Sequence, residues 1–205
     1  MKRIALATLA LALAACGGSS DSGPSAPTLS SASAIATYLD GKTLTMAGDN
    51  IPAYPNGYNQ NMYLGASTQC YHQTTIQIAG TTWAVTSQLG TLTGASTLGA
   101  IGTCDRTTVA GNPVSFTSNT VLVENVQGNG TCFDITVTYT GFSQEGRGAF
   151  SEDGKTLKLE LFFGGQAANH RCANGVPGTS GVLLKGAAFT GNAVQTYAVT
   201  TTSGT

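Results

Sequence analysis

The stretch Thr131-Cys132-Phe133-Asp134-Ile135-Thr136-Val137-Thr138-Tyr139-Thr140 alternates Phe133, Ile135, Val137 and Tyr139 with Asp134, Thr136 and Thr138. Successive side chains of a strand point to opposite faces, so a period of two marks a half-buried strand. Asn119 to Val126 precedes it, and Gln127-Gly128-Asn129-Gly130 joins the two as a hairpin. Downstream, Gly148-Ala149-Phe150, the turn Glu152-Asp153-Gly154 and Lys155 to Phe163 form another hairpin. There Leu157, Leu159, Leu161 and Phe163 should face the core, opposite Lys158 and Glu160.

The pattern continues outward in both directions. Gln69 to Ala79 and Thr81 to Leu89 read as a hairpin with Ile76, Ile78, Trp83 and Val85 inside. Gly41 to Met46 reads as the first strand, and Gly181 to Phe189 and Val194 to Thr200 as the last two. Gly90 to Gly111, rich in Gly, Thr and Ala, reads as a loop holding a short strand at most. Ser33 to Leu39 is long enough for one or two helical turns, capped by Ser31 or Ser33 and ended by Gly41. The fold class is therefore all-β with a short N-terminal helix. An antiparallel meander of this kind closes on itself as a barrel or on a second sheet as a β-sandwich.

Two short pieces carry a resemblance. The helical turn leading into Asp40-Gly41-Lys42-Thr43-Leu44, and the hairpin from Phe150 to Leu157, which repeats Asp-Gly-Lys-Thr-Leu, look like features of bacterial lipocalin-like barrels. The resemblance implies closure as a barrel and a small apolar ligand.

At the N-terminus Lys2 and Arg3 precede the apolar run Ile4 to Ala15. A dozen apolar residues is the length of a signal peptide, short of the ~20 that span a bilayer as a helix. The run ends in Leu13-Ala14-Ala15-Cys16, which resembles the lipobox of bacterial lipoproteins. That resemblance implies removal of residues 1–15 and acylation of Cys16 with palmitate-like chains, several of which anchor a protein stably. Gly17 stands where an inner-membrane retention signal has aspartate, so the implied location is the bacterial outer membrane, facing the periplasm or the cell surface. Residues 16–33 are Ser, Gly, Pro and Ala-rich, a composition that reads as a flexible stalk. Residues 34–205 then form a single domain large enough for a real core.

Charged residues make up 9% of the chain, and without the leader seven basic residues face ten acidic ones. With no basic patch, nucleic acid is excluded as a partner. The expected partners are the membrane, through Cys16, and a small apolar ligand, a glycan or a protein. No cofactor is implied.

Four cysteines remain beyond Cys16: Cys70, Cys104, Cys132 and Cys172. In an exported domain an even number reads as two disulfides, with three connectivities open. The mirrored pairs Cys70-x-His72 and His170-x-Cys172 form the alternative, a metal site. His72 and His170 have no recognisable nucleophile to serve as general bases, and structural roles are favoured for both.

The best candidate binding loop runs through Tyr54, Asn56, Tyr58, Asn59 and Tyr63, where tyrosine mixes with asparagine and glycine. The competing reading is a lid packed on the core. Glu145, Arg147, Glu152 and Asp153 cluster along one segment, but acid–base work depends on a spatial separation that sequence does not give. No catalytic motif is present, so a binding lipoprotein is the leading expectation. A structural lipoprotein with a filled core is the alternative, and a hydrolase the minority reading.

Overall fold

The computed structural model describes residues 25–47, 70–93, 103–189 and 193–201. Eight antiparallel strands close into a barrel, not a sandwich. In chain order they are β1 (Lys42–Ala47), β2 (Tyr71–Ala79), β3 (Thr82–Thr93), β4 (Thr103–Gln127), β5 (Cys132–Tyr139), β6 (Phe142–Phe150) and β7 (Thr156–Phe163). Three two-residue strands follow, β8 (Ala167–Ala168), β9 (Leu183–Leu184) and β10 (Ala187–Ala188), and then β11 (Val194–Thr201). Each barrel strand pairs with its predecessor, and β11 bridges β7 to β1, which leaves no free edge.

Register fixes the faces. Leu44 opposes Ile76 and Val199, Ile135 opposes Val123, and Leu157 opposes Phe150 and Tyr197. These positions point inward, and most belong to one continuous core with Met46, Ile78, Trp83, Phe133 and Leu159. Gly148 makes room in that core: a Cβ there would lie 2.3 Å from the Phe133 ring.

One end of the barrel is sealed. Helix α1 (Ala32–Leu39) starts at Ser31, whose hydroxyl accepts from the Ala34 N–H, and it buries Ile35 and Leu39. Three turns at this end hold the segment down. Asp40 Oδ1 accepts from Gly80 N–H at 2.7 Å, Asn129 Nδ2 donates to the Pro27 carbonyl at 2.9 Å, and the Tyr38 hydroxyl donates to the Gly154 carbonyl at 3.1 Å. Leu29 is also buried in the core. Residues 25–33, which composition groups with the stalk, therefore pack on the barrel.

Three local expectations change. The Gly90-to-Gly111 stretch is not a loop over its described part, because β3 runs on to Thr93 and β4 begins at Thr103. There the two strands pair beyond β2 as a ribbon, with Thr91 opposite Asp105 and Leu92 opposite Cys104. A ribbon buries little on either face, so threonine and alanine serve it without alternation. Gly90 is needed at its base, where a Cβ would meet the Asp105 carbonyl at 2.6 Å.

The run Gly181 to Phe189 is not a barrel strand. A turn at Lys185 and Gly186, both at positive φ, folds it into the β9–β10 hairpin, which pairs with β8 outside the barrel.

Finally, β5 is buried on both faces over its first half, and Glu160 is buried although it points outward. The cause is the segment 164–189, which lies against the outer wall of β5, β6 and β7. Phe162 on that wall packs with Val182, Leu184 and Ala193 as a second, smaller core.

Candidate functional site

The outer wall carries a buried polar cluster under the covering segment. Arg147 Nε donates to Glu160 Oε2 at 2.6 Å, and its two terminal nitrogens donate to the carbonyls of Gly175 and Thr179 at 2.7 and 3.0 Å. Asp134 accepts from the Cys172 backbone N–H at 2.8 Å and from Asn125 Nδ2 at 2.7 Å. Glu145 accepts from Arg171 at 2.8 Å and from the Gly165 backbone N–H at 2.7 Å. Every charge here is matched by a partner on the covering segment or the wall beneath it. The cluster is a fastening, with its acids committed as acceptors.

The two disulfides are Cys70–Cys104 and Cys132–Cys172. Cys132–Cys172 joins β5 to the covering segment, and Cys70–Cys104 ties the base of the ribbon to the start of β2. The alternative metal set Cys70, His72, His170 and Cys172 is not brought together, because each of its sulfurs is bonded to a different cysteine. His72 Nδ1 lies 2.7 Å from the Arg106 carbonyl, at the ribbon. His170 sits under the covering segment, edge-on to Phe162 at 6.1 Å, with both ring nitrogens buried and unpartnered. Its Nε2 is 3.7 Å from Glu145 Oε1, and desolvation pulls its pKa below the usual histidine value against the opposing pull of Glu145.

The four residues Glu145, Arg147, Glu152 and Asp153 do not form one site either. Glu145 and Arg147 belong to the fastening, whereas Glu152 and Asp153 are exposed in the β6–β7 turn at the sealed end. Hydrogen bonds from Ser151 and the Lys155 N–H hold the Asp153 carboxyl below the usual aspartate range.

The end opposite α1 differs in kind. Its inner wall is aromatic: Tyr139 and Phe142 stack at 4.6 Å, Phe116 meets both edge-on at 6.2 and 5.6 Å, and Phe163 packs on Phe142 at 5.7 Å. Phe116 opposes the inward Val85, yet it is 46% exposed, so solvent reaches the inner face at this level. The inner wall also carries polar groups. Thr74 and Ser87 hydroxyls are hydrogen-bonded at 3.0 Å, and the Tyr197 hydroxyl donates to Gln195 Oε1 at 2.7 Å. Burial pushes the Tyr71 and Tyr139 hydroxyls up to about 12 and raises Tyr197 further, with Tyr71 and Tyr139 contributing as neighbours.

Sequence reasoning missed this site because its members are spread over β2, β3, β4, β5, β6, β7 and β11. The available signal was the inward parity of Tyr139 and Phe163 at strand ends.

A depression of about 400 Å³ lies beside this rim, lined by Phe142, Ser143, Phe163 and Gln166. A second, apolar groove of about 240 Å³ runs between α1 and the wall at Trp83 and Val121. β1 leaves at Ala47 and the chain returns at Cys70, at the end of the barrel opposite α1. The candidate loop residues Tyr54, Asn56, Tyr58, Asn59 and Tyr63, and the lipidation candidate Cys16, lie outside the described residues. No protein-family model matches the chain, and no curated protein or solved structure matches it.

Proposed function

We propose that this chain is a lipid-anchored protein of the bacterial cell envelope whose barrel takes a small apolar ligand through the rim opposite α1. The single observation that carries the ligand reading is the asymmetry of the barrel. One end is plugged by α1 and filled by a closed core that includes Trp83, Phe133 and Phe150, while the other leaves Phe116 exposed and Phe142 and Phe163 half-buried on its inner face. An exposed aromatic wall is costly in water, and binding an apolar molecule offsets that cost. The lipobox-like Leu13-Ala14-Ala15-Cys16 supports the anchor and the envelope location. The reading is non-enzymatic, since the buried acids and bases serve as a fastening.

The filled lower half favours a second reading, a structural lipoprotein without a ligand. Native mass spectrometry of full-length protein taken from its own envelope distinguishes the two. A non-covalent mass beyond any covalent acyl mass, lost on substitution of Phe116 and Phe163 by alanine, supports ligand binding. A bare protein that also fails to take up apolar probes after delipidation supports the structural reading.

A further inference from the structure

The charges of this barrel are sorted by face, and the sorting bears on the ligand. The buried charged groups Asp134, Arg147 and Glu160 all lie on the outer wall beneath the covering segment, where each has a partner. Among the described residues, the inward strand positions between the two rims hold no Asp, Glu, Lys or Arg. Lys42, at the sealed end, is turned to Thr201 and lies over the Tyr38 ring. The inner wall offers instead tyrosine, threonine, serine and glutamine beside the aromatic rings.

From this we infer that the ligand is an uncharged molecule with a planar apolar body and a hydrogen-bonding group, and that anions such as fatty-acid carboxylates are rejected. The inference rests on the ligand-binding reading above and narrows it. An ionised carboxylate drawn into a wall without a counter-charge forfeits its hydration and gains only neutral dipoles in return. A neutral hydroxyl, carbonyl or amine loses far less. The tyrosines match it: burial raises the Tyr71 and Tyr139 hydroxyls to about 12, so both stay protonated and neutral at any ordinary pH. The stacked Tyr139–Phe142 pair and the edge-on Phe116 ring suit a flat body better than a flexible chain.

The test uses two fluorescent probes with one skeleton: the neutral N-phenyl-naphthylamine and its sulfonated relative, anilinonaphthalene sulfonate. Full-length protein is titrated with each at neutral pH. The neutral probe should bind saturably, and the sulfonate about ten-fold more weakly or worse. Changing Tyr71 and Tyr139 together to Phe should weaken the neutral probe several-fold, the loss expected for hydrogen bonds removed without loss of shape. Phe116→Lys, at a position exposed enough to tolerate it, should reverse the preference toward the sulfonate. Equal or tighter binding of the sulfonate by the unaltered protein overturns the charge inference and leaves ligand binding standing. Neutral-probe binding untouched by all three substitutions places the probe elsewhere, such as the groove beside α1, and overturns it too. Failure of both probes to bind overturns the ligand reading itself, and this inference with it.

Discussion

Arg147 and Glu160 face each other across adjacent strands on the outside of the barrel, Nε to Oε2 at 2.6 Å, and are 0% and 3% exposed. An ion pair on an outer barrel wall would ordinarily be solvated and nearly neutral in energy. Here the segment 164–189 covers it, and the guanidinium also holds two of its carbonyls. Truncating one partner leaves the other charge buried alone. Arg147→Met should therefore cost about 3–5 kcal/mol, read by chemical denaturation. Adding Glu160→Leu should recover part of that loss and not all, because the carbonyls of Gly175 and Thr179 remain unpaired. Full additivity of the two losses would contradict the pairing.

The covalent fastening of the same segment gives a second expectation. The two disulfides close loops of similar length, with separations of 34 and 40 residues, so removing either should cost about 2–4 kcal/mol through the unfolded state. Their local effects should differ. Replacing Cys132 and Cys172 by Ala should make the covering segment a trypsin substrate at Arg171, whose side chain is otherwise held by Glu145 and the Ile135 carbonyl. Replacing Cys70 and Cys104 should instead expose Arg106, in the ribbon. Mass mapping of limited digests reads both, and identical early cleavage sites would refute the assignment.

His170 ties the covering segment to pH. Its ring is enclosed by Phe162, Glu145, Arg171, Arg147 and Asp134, and desolvation, opposed by Glu145, lowers its folded pKa. The unfolded value is about 6.5, so the unfolded chain binds more protons as pH falls through and below that value. Stability supplied by the neutral ring is complete above about pH 7 and is lost on acidification. His170→Phe should flatten the denaturation midpoint between about pH 5.5 and 7.5, and leave stability at the upper limit equal or higher. An unchanged slope in that window would assign the acid sensitivity to other groups.

The strands were legible because a strand buried on one face writes its period into the sequence, whereas closure as a barrel and not a sandwich was not written there. Phe133 to Tyr139 and Leu157 to Phe163 point inward as their alternation requires, and Gln127 to Gly130 turns where glycine permits positive φ. Three further features were not legible, each for a physical reason. The β3–β4 ribbon leaves no alternation because it has no core to face. Glu160 and Asp134 read as solvent-facing because the layer that buries them comes from a distant segment. The aromatic rim is assembled from four strands, β4 to β7, and sequence shows which residues are inward without showing which share a level.

The anchor supplies the last expectation. Cys16 is the only residue through which the proposed acyl chains would attach, and the domain's low charge gives it no electrostatic hold on anionic lipid. Cys16→Ser should therefore abolish both the acyl mass and stable sedimentation with membranes, while the folded domain persists with the same denaturation midpoint. Cell fractionation and intact mass on the wild-type and substituted chains read the result. A wild-type mature N-terminus without added acyl mass would sink the lipoprotein proposal. Retained membrane association in the Cys16→Ser chain would instead point to attachment through the domain itself. The exposed Phe116 and the half-buried Phe142 at the open rim would then be the first positions to replace.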